Sequence, residues 1–317
     1  MTPAGEILRT RIIQSGPLRF SEFMETALYA PGAGYYASRR DPFGRDGDFY
    51  TASQVQPVFG RLIAQAIAPF KPSRVLDWGG GRGEMKESLA ARFPYLLVEH
   101  DAEPPEPQAR TAIFANELFD ALPVDVARRS GRVWRAMKVA CIGGKFVWHE
   151  DEPLEGHWLD YAEQAGRHLP NECEAWIELP VACSSVLEKM SRAAPAGMLL
   201  AIDYGYTARE ILRFPRGSLM AYRKHLPVGD VLAEPGTQDI TAHVPWTYLE
   251  SVAAGFGWRK RSFEPLSSLL MKTGEADQFA SALEGWRERH TLQLKTLLFG
   301  MGESYQAITM ERTETGP

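Results

Sequence analysis

The chain has 317 residues, of which 44% are hydrophobic and 24% are charged, so its composition is that of a globular protein. A formal net charge of -5 and the lack of a dense run of Lys and Arg argue against a nucleic-acid-binding surface. The three cysteines form no C-x-x-C pair and the histidines form no metal-binding motif, so we predict no metal and a reducing, cytoplasmic location.

The N-terminal part of the chain carries helical patterns and one glycine-rich stretch. Near the N-terminus, Leu8, Ile12 and Ile13 are interleaved with Glu6, Arg9 and Arg11, which predicts an amphipathic helix and not a signal peptide. A second helix is predicted over 21–29, with Ser21 as its N-cap. The Gly- and Asp-rich stretch 41–51 predicts an ordered loop, and a third helix is predicted over 57–68. No apolar run reaches the roughly 18 residues that a membrane-spanning helix needs.

An alternation of strands and helices begins at residue 74. Four apolar strands, each ending in an acidic residue, are predicted over 74–77, 95–99, 112–117 and 198–203. Helices are predicted over 84–92 and 181–193. This alternation predicts a doubly wound, parallel α/β sheet that binds its ligands at the carboxyl ends of the strands.

Two further regions have different patterns. Residues 134–149 predict a β-hairpin whose turn is Gly143-Gly144. The C-terminal part predicts antiparallel strands over 258–263 and 269–273, a helix over 276–298 and a disordered tail over 311–317.

The turn after the first core strand contains glycines in a G-x-G-x-G spacing, in the sequence Asp77-Trp78-Gly79-Gly80-Gly81-Arg82-Gly83. A dinucleotide-binding turn needs its third glycine one position later, where Glu84 would repel a pyrophosphate. S-adenosylmethionine (SAM) has no phosphate and carries a sulfonium cation, which suits Asp77 and the nearby acids. The turn therefore favours SAM, with Asp77, Gly79, Gly81 and Gly83 as cofactor-binding residues; a turn without a ligand is the alternative.

Polar residues also follow the second and third core strands. Glu99 stands where class I methyltransferases place an acid that bonds both ribose hydroxyls, although a plain surface acid is the alternative. Asn116 and Glu117 end the third strand, where the transferable methyl group would lie. We expect Asn116 to contact the cofactor or to cap the next helix. We expect Glu117 to hold or deprotonate the acceptor nitrogen, because methyl transfer needs a lone pair in line with the sulfonium.

Additional motifs are spread over nearly the whole chain: Phe20-Ser21-Glu22-Phe23-Met24, Gly34-Tyr35-Tyr36, Gly47-Asp48-Phe49-Tyr50-Thr51-Ala52, Asn116-Glu117-Leu118-Phe119-Asp120-Ala121-Leu122-Pro123, Asp203-Tyr204-Gly205-Tyr206 and Gln238-Asp239-Ile240-Thr241-Ala242-His243-Val244. Together they resemble the MidA-like (DUF185) SAM-dependent methyltransferases. That family includes a mitochondrial complex I assembly factor that methylates a protein arginine.

The resemblance implies a class I SAM methyltransferase fold, Rossmann-like and doubly wound, with helical and β-hairpin additions. It implies an active site walled by the loop 47–51, with Asp48, Glu117 and His243 as catalytic residues. Five residues are expected to contact the substrate: Tyr50, Glu178, Asp203, Tyr204 and Asp239. We expect N-terminal helices and the loop over 1–70, the core over 71–130 and 174–310, and a hairpin and helical insertion over 131–173.

The chain departs from the family pattern at several positions. Gly80 stands where the family has Pro, and Gln54 stands where it has an acid. Only residues 100–110 separate Glu99 from the next strand, and three prolines there prevent a helix. We therefore expect the sheet to be trimmed by one strand, without the usual wall for the adenine.

The sequence predicts a SAM-dependent methyltransferase that acts on a protein side chain, an arginine by family resemblance, or on a small molecule. Glu117 with Glu178 would clamp a guanidinium. A non-catalytic assembly or binding protein that keeps the fold is the alternative, favoured by the trimmed sheet and opposed by the retained glycines. A nucleotide-dependent oxidoreductase is disfavoured by Glu84. The expected partner is the methyl acceptor, with neither nucleic acid nor a membrane, and a homodimer is left open.

Overall fold

The computed structural model describes residues 1–37, 56–170, 174–223 and 226–313, apart from the side chain of Met301. The chain divides into two compact units. One, here the antiparallel unit, comprises Met1–Tyr50, Ala121–Ala182 and Tyr206–Thr247. The other, here the core-sheet unit, comprises Thr51–Asp120, Cys183–Gly205 and Tyr248–Pro317. Among the described residues, no helix is both long and apolar enough to span a bilayer.

The core-sheet unit is built on a mixed sheet. Its six strands, as far as the structure describes the chain, lie in the order Arg259–Pro265, Gln306–Arg312, Gly197–Asp203, Thr111–Asn116, Arg74–Trp78 and Tyr95–Val98. The last four run parallel to one another, and Gln306–Arg312 is antiparallel to both of its neighbours. This topology confirms the predicted class I fold.

The sheet ends at Tyr95–Val98, as the shortened segment predicts. Residues 100–110 form no strand or helix. By contrast, the central strands are apolar runs buried on both faces, as in other parallel sheets. Their registers place Leu76 opposite Ile113 and Ile113 opposite Leu199, and all three side chains are fully buried. The carboxyl ends of these strands therefore lie side by side.

Helices cover this sheet: Val58–Ile67, Lys86–Ala90, Cys183–Ala193, Leu266–Glu275, Glu288–Thr296 and Gly302–Ser304, with a 3-10 helix at Ala68–Phe70 and a π-helical turn at Leu297–Met301. The strand predicted over 269–273 is wrong, because Leu266 and Leu270 are four residues apart and are both buried on one helical face. The helix predicted over 276–298 begins only at Glu288. Residues 311–312, predicted as tail, end the strand Gln306–Arg312.

Within the described residues, the antiparallel unit contains a five-stranded sheet and a three-stranded sheet. The larger has the order Leu18–Arg19, Val133–Ile142, Asp125–Ser130 and Ala175–Leu179, and Lys145–Pro153 also pairs with Val133–Ile142. Leu226–Val228, Met220–Arg223 and Asp239–Thr241 form the smaller. The predicted hairpin is confirmed, because Gly143 and Gly144 join its strands with φ of 58° and 79°. The helices are Pro3–Ser15, Phe20–Tyr29 and Gly156–Gly166, with a 3-10 helix at Glu210–Arg213.

The described residues also form two short strands, Gly205–Tyr206 and Val244–Pro245, and the helix Trp246–Gly255. The helix Phe20–Tyr29 begins before Ser21, so Ser21 does not cap it. Instead, the Ser21 N–H donates to Asp125 Oδ1 over 3.0 Å. Apolar residues of this helix, including Phe23 and Met24, belong to the core of the antiparallel unit.

The units differ from the domain boundaries that the sequence predicts. Asp125–Ser130 and Ala175–Leu179, which we expected in the core, pair with each other in the larger antiparallel sheet. Residues 206–247 also belong to the antiparallel unit, whereas the helix Val58–Ile67 belongs to the core-sheet unit. The predicted domain boundaries were misplaced because stretches of the antiparallel unit alternate along the chain with stretches of the core-sheet unit.

Candidate active site

The glycine turn follows the strand Arg74–Trp78 and leaves open space at its tip. Gly79, Gly81 and Gly83 have φ of 74°, 53° and 73°, a region that side-chain-bearing residues rarely adopt. A Cβ on Gly79 would lie 2.6 Å from Leu118 Cδ1, so the turn packs against the segment that carries Glu117. A Cβ on Gly81 would meet no described atom within 4 Å. The space beside Gly81 can therefore receive a ligand.

Asp77 lies at the centre of an acidic cluster beside this turn. Its side chain is only 1% exposed, and the Tyr95 hydroxyl donates to its Oδ2 over 2.7 Å. Burial raises the Asp77 pKa to about 6, the Tyr95 hydrogen bond opposes that shift, and the charges of Glu84 and Glu99 add to it. A cationic ligand would offset this unfavourable charge.

Glu99 follows the edge strand Tyr95–Val98 and is exposed. Partial burial of its carboxyl and the charge of Asp101 raise its pKa. Beyond it, Lys189 Nζ donates to the carbonyl oxygens of Asp101 and Ala102 over 3.0 and 3.1 Å. Arg74 donates to the carbonyl oxygen of Glu106 over 2.7 Å. Side-chain donors thus fix the coil that replaces the missing strand.

Glu117 has a tightly defined carboxylate. Its Oε1 accepts from Asn116 Nδ2 over 2.9 Å, and its Oε2 accepts from the Tyr305 hydroxyl over 2.9 Å. The Tyr204 hydroxyl lies 3.5 Å from the same Oε2. Its backbone has φ of 52°, and its N–H donates to the carbonyl oxygen of Ile202. Backbone and side chain are therefore both held at the end of the strand Thr111–Asn116.

Asn116 supplies a test of whether these residues fit SAM. A carboxylate only accepts hydrogen bonds, so the bond to Glu117 fixes which end of the amide is Nδ2. The other end, Oδ1, is buried and has no hydrogen-bond partner among the described residues. A buried acceptor without a donor is costly, and the ammonium group of SAM could supply that donor. Together with the space at Gly81 and the acids around Asp77, this acceptor fits the cofactor.

Asp203 does not have the substrate contact that the sequence predicts. Its side chain is fully buried, and Oδ2 accepts from the backbone N–H groups of Phe119 and Asp120 over 2.9 and 3.2 Å. Its Oδ1 accepts from the Tyr204 N–H over 2.9 Å. Burial and the charge of Glu117 raise its pKa. Asp203 therefore holds the segment after Glu117 in place.

Glu178, which was predicted to clamp a guanidinium with Glu117, lies in the antiparallel unit. Its carboxylate already accepts hydrogen bonds from Ser218 and Leu219 of the same unit. Its Oε1 accepts from the N–H groups of Ser218 and Leu219 over 2.7 and 3.1 Å, and its Oε2 accepts from Ser218 Oγ over 3.0 Å. The side chain is 3% exposed. Glu178 joins the strand Ala175–Leu179 to a turn, and this structural role replaces the predicted clamp.

Asp239 and His243 also belong to the antiparallel unit. Asp239 is 4% exposed and accepts from the Tyr36 hydroxyl over 2.9 Å, so its side chain supports that tyrosine. His243 packs on Phe214 with ring centroids 4.6 Å apart, and burial lowers its pKa. A catalytic role for His243 stays a prediction. Asp48 and Tyr50 lie outside the described residues.

The sequence reasoning missed two tyrosines of the core-sheet unit. Tyr95 bonds Asp77 and Tyr305 bonds Glu117, but both are ordinary aromatic residues in the sequence. Only the pairing of distant strands brings them to the two acids. Tyr204 was predicted to contact substrate, whereas its hydroxyl is directed at Glu117.

The chain is similar to known methyltransferases. Residues 64–263 match the family described as S-adenosyl-L-methionine-dependent methyltransferase. The mitochondrial protein arginine methyltransferase NDUFAF7 of Danio rerio is 26% identical over 311 residues, which are 78% of this chain and 71% of that protein. The NDUFAF7 homolog of Drosophila melanogaster is 25% identical over 315 residues, which are 78% of this chain and 69% of that protein.

A solved structure shows the same fold. The Burkholderia thailandensis protein crystallised with S-adenosyl-homocysteine (SAH) aligns with a TM-score of 0.86 and 24% identity, over 99% of this chain and 92% of that one. The family match spans well over half of the chain and confirms the resemblance to the MidA-like proteins. The chain therefore belongs to the S-adenosyl-L-methionine-dependent methyltransferase family, and SAM is its cofactor.

Proposed function

We propose that this methyltransferase transfers the methyl group to an arginine side chain of a protein. The observation that carries the proposal is the Glu117 carboxylate, which is held by Asn116 and Tyr305 on a segment packed against the glycine turn through Gly79 and Leu118. A fixed carboxylate beside the methyl donor is suited to a guanidinium, because the two groups form charge-assisted hydrogen bonds.

Each described group has a distinct task in this mechanism. SAM supplies an electrophilic methyl group on its sulfonium. The glycine turn and the acids around Asp77 would hold this cation, and Glu99 is suited to ribose hydroxyls. Glu117 orients the acceptor nitrogen and takes the proton that the nitrogen loses on methylation. Asp203 keeps the segment after Glu117 in position through backbone N–H groups.

The named relatives support arginine as the acceptor, because they are protein arginine methyltransferases. The small-molecule alternative rests on the coil 100–110, which replaces a strand of the class I sheet and points to a specialised enzyme. The non-catalytic alternative is opposed by three features of the site: open space at Gly81, a buried acceptor at Asn116 and a fixed acid at Glu117.

The experiment is a methyl-transfer assay on the purified protein. It would be incubated with SAM carrying a radiolabelled methyl group and with an extract of cells from which its gene has been deleted. We expect label in protein that yields methylarginine on hydrolysis, and we expect Glu117→Gln to abolish it. Label confined to small molecules would contradict the proposal. If neither SAM nor SAH binds up to millimolar concentration in calorimetry, the non-catalytic alternative holds instead.

We also propose a cytoplasmic location. The support is chemical: Cys141 and Cys183 are free thiols, and Cys183 is buried in the core-sheet unit. Free thiols persist in a reducing compartment. Fractionation of cells that express a tagged full-length chain tests this, and recovery in an organelle fraction, as the mitochondrial relatives would suggest, would contradict it.

A further inference from the structure

Two tyrosines in ring contact lie beside the Glu117 carboxylate. The rings of Tyr204 and Tyr305 have centroids 4.6 Å apart, and Tyr305 is only 5% exposed. Tyr204 directly follows Asp203 at the end of one central strand, and Tyr305 directly precedes the neighbouring strand Gln306–Arg312. Their position is therefore set by the pairing of these two strands.

Both hydroxyls lie at the same oxygen of Glu117. Tyr305 donates to Glu117 Oε2 over 2.9 Å. The Tyr204 hydroxyl lies 3.5 Å from that oxygen and is the longer, weaker donor. The pair therefore delivers one strong and one weak donor to a single carboxylate oxygen.

The surroundings of Glu117 would otherwise favour its protonation. Asp203 is fully buried next to it, and the charges of the two groups interact. Asp120 is 3% exposed and interacts with both tyrosines. Neighbouring acids disfavour the ionised form of one another, whereas a hydrogen bond to a carboxylate favours the ionised form. The Tyr305 hydroxyl therefore acts against these acids.

Building on the proposed function, we propose that Tyr305 is a positioning residue that keeps Glu117 ionised and in one orientation, with Tyr204 as a second, weaker donor to the same carboxylate oxygen. An ionised Glu117 can pair with a guanidinium and accept its proton, whereas a protonated one can do neither. The tyrosine pair thereby sets the lowest pH at which the acceptor is engaged.

The test is a titration that needs no methyl acceptor. Glutamate labelled with 13C at the carboxyl carbon would be incorporated, and Glu117→Gln would identify the Glu117 signal by its loss. In Tyr305→Phe we expect the titration midpoint of Glu117 to rise by about one pH unit, the usual effect of losing one donor to a carboxylate. Tyr204→Phe should give a smaller rise.

Tyr248→Phe is the matched control, because Tyr248 is a half-buried tyrosine of the same unit that lies on the helix Trp246–Gly255 and not beside the paired strands that position Tyr204 and Tyr305. In Tyr248→Phe we expect the titration midpoint of Glu117 to equal that of the wild-type protein. SAH should bind all three variants within about twofold of the original affinity, which shows that the folded cofactor site is intact.

An unchanged midpoint in Tyr305→Phe, with SAH binding retained, overturns the proposal. If Tyr305→Phe does not fold, Tyr204→Phe decides, and an unchanged midpoint in that variant has the same consequence. The outcome is independent of the acceptor. If the assay shows methylated small molecules while the midpoint shifts as expected, only the arginine assignment fails.

Discussion

Asp77 is subject to opposing demands at the scale of a single residue. Burial of its carboxyl group and the charges of two further acids favour the protonated form, and the Tyr95 hydrogen bond opposes them only in part. The cationic cofactor favours the ionised form. The same side chain therefore lowers the stability of the cofactor-free protein while it supports binding.

Asp77→Asn should separate these two effects. The Asp77 pKa is raised from 3.8 to about 6 in the folded state, so between these values the folded protein binds more protons than the unfolded chain. Stability then falls as pH rises from about 4 to 6 and stays lower above it. We expect the Asn variant to be more stable than the original at pH 7 by on the order of 2–3 kcal/mol, and equal to it near pH 4.

Urea unfolding without cofactor over this pH range measures the difference. The exposed Glu87, replaced by Gln, is the control and should show no such pH-dependent gain. The Asn variant should also bind SAM, which carries the sulfonium cation, more weakly. A stability difference that is independent of pH would show that Asp77 is not the group responsible.

Gly81→Val tests the ligand space beside the glycine turn. The substitution should reduce SAH affinity by at least about tenfold, because the side chain fills that space and the residue has φ of 53°. Gly131→Val is a matched control: Gly131 has φ of 65°, also faces open space, and lies in the antiparallel unit. Calorimetry should show binding lost in the first variant only. Equal affinities in the two variants would place the cofactor elsewhere.

At the scale of elements, apolar runs predicted the central strands correctly, because those strands are buried on both faces. The prediction from hydrophobic periodicity was wrong within the helix Leu266–Glu275. The five residues 269–273 are mostly apolar, and a segment that short fits a strand or a helix equally well. The sheet edge was predictable because prolines left no room for a helix after Glu99. The hydrogen-bond partners of Asp77 and Glu117 could not be predicted from the sequence, because only strand pairing brings Tyr95 and Tyr305 to these acids.

Glu178 illustrates how an acid predicted to act on substrate can instead join two elements. Glu178→Ala should destabilise the protein by about 3 kcal/mol, because it leaves the buried N–H groups of Ser218 and Leu219 without an acceptor. Gln, which keeps one acceptor oxygen, should cost less. Urea unfolding measures both, and SAH affinity should be unchanged. A loss of methyl transfer without a loss of stability would restore the substrate role.

At the scale of the whole molecule, each compact unit is assembled from three separate stretches of the chain. Sequence reasoning identified the stretches but grouped them by order, so it left Asp125–Ser130 and Ala175–Leu179 with the core. Which strands pair is decided by long-range packing that composition and periodicity do not encode. The overall fold class was predictable because local strand and helix signals agree with it.

Ligand binding should stabilise the whole chain measurably. SAH at about one hundred times its dissociation constant should add about 2.7 kcal/mol to the free energy of unfolding, if it binds the folded form only. Scanning calorimetry at several SAH concentrations measures the shift, with the Gly81→Val variant as the control that should not respond. No shift in the original protein would contradict the assigned cofactor.

Gly80 limits which substitutions the glycine turn can accept. A Cβ at Gly80 would lie 2.5 Å from Asp77 Oδ2 and 2.7 Å from Leu97 Cδ1. The proline that the family carries at this position would therefore force the Asp77 carboxyl group to move. The effect of a substitution at either residue then depends on which residue occupies the other, a case of epistasis between neighbours. Gly80→Pro alone should therefore disturb the Asp77 carboxyl group.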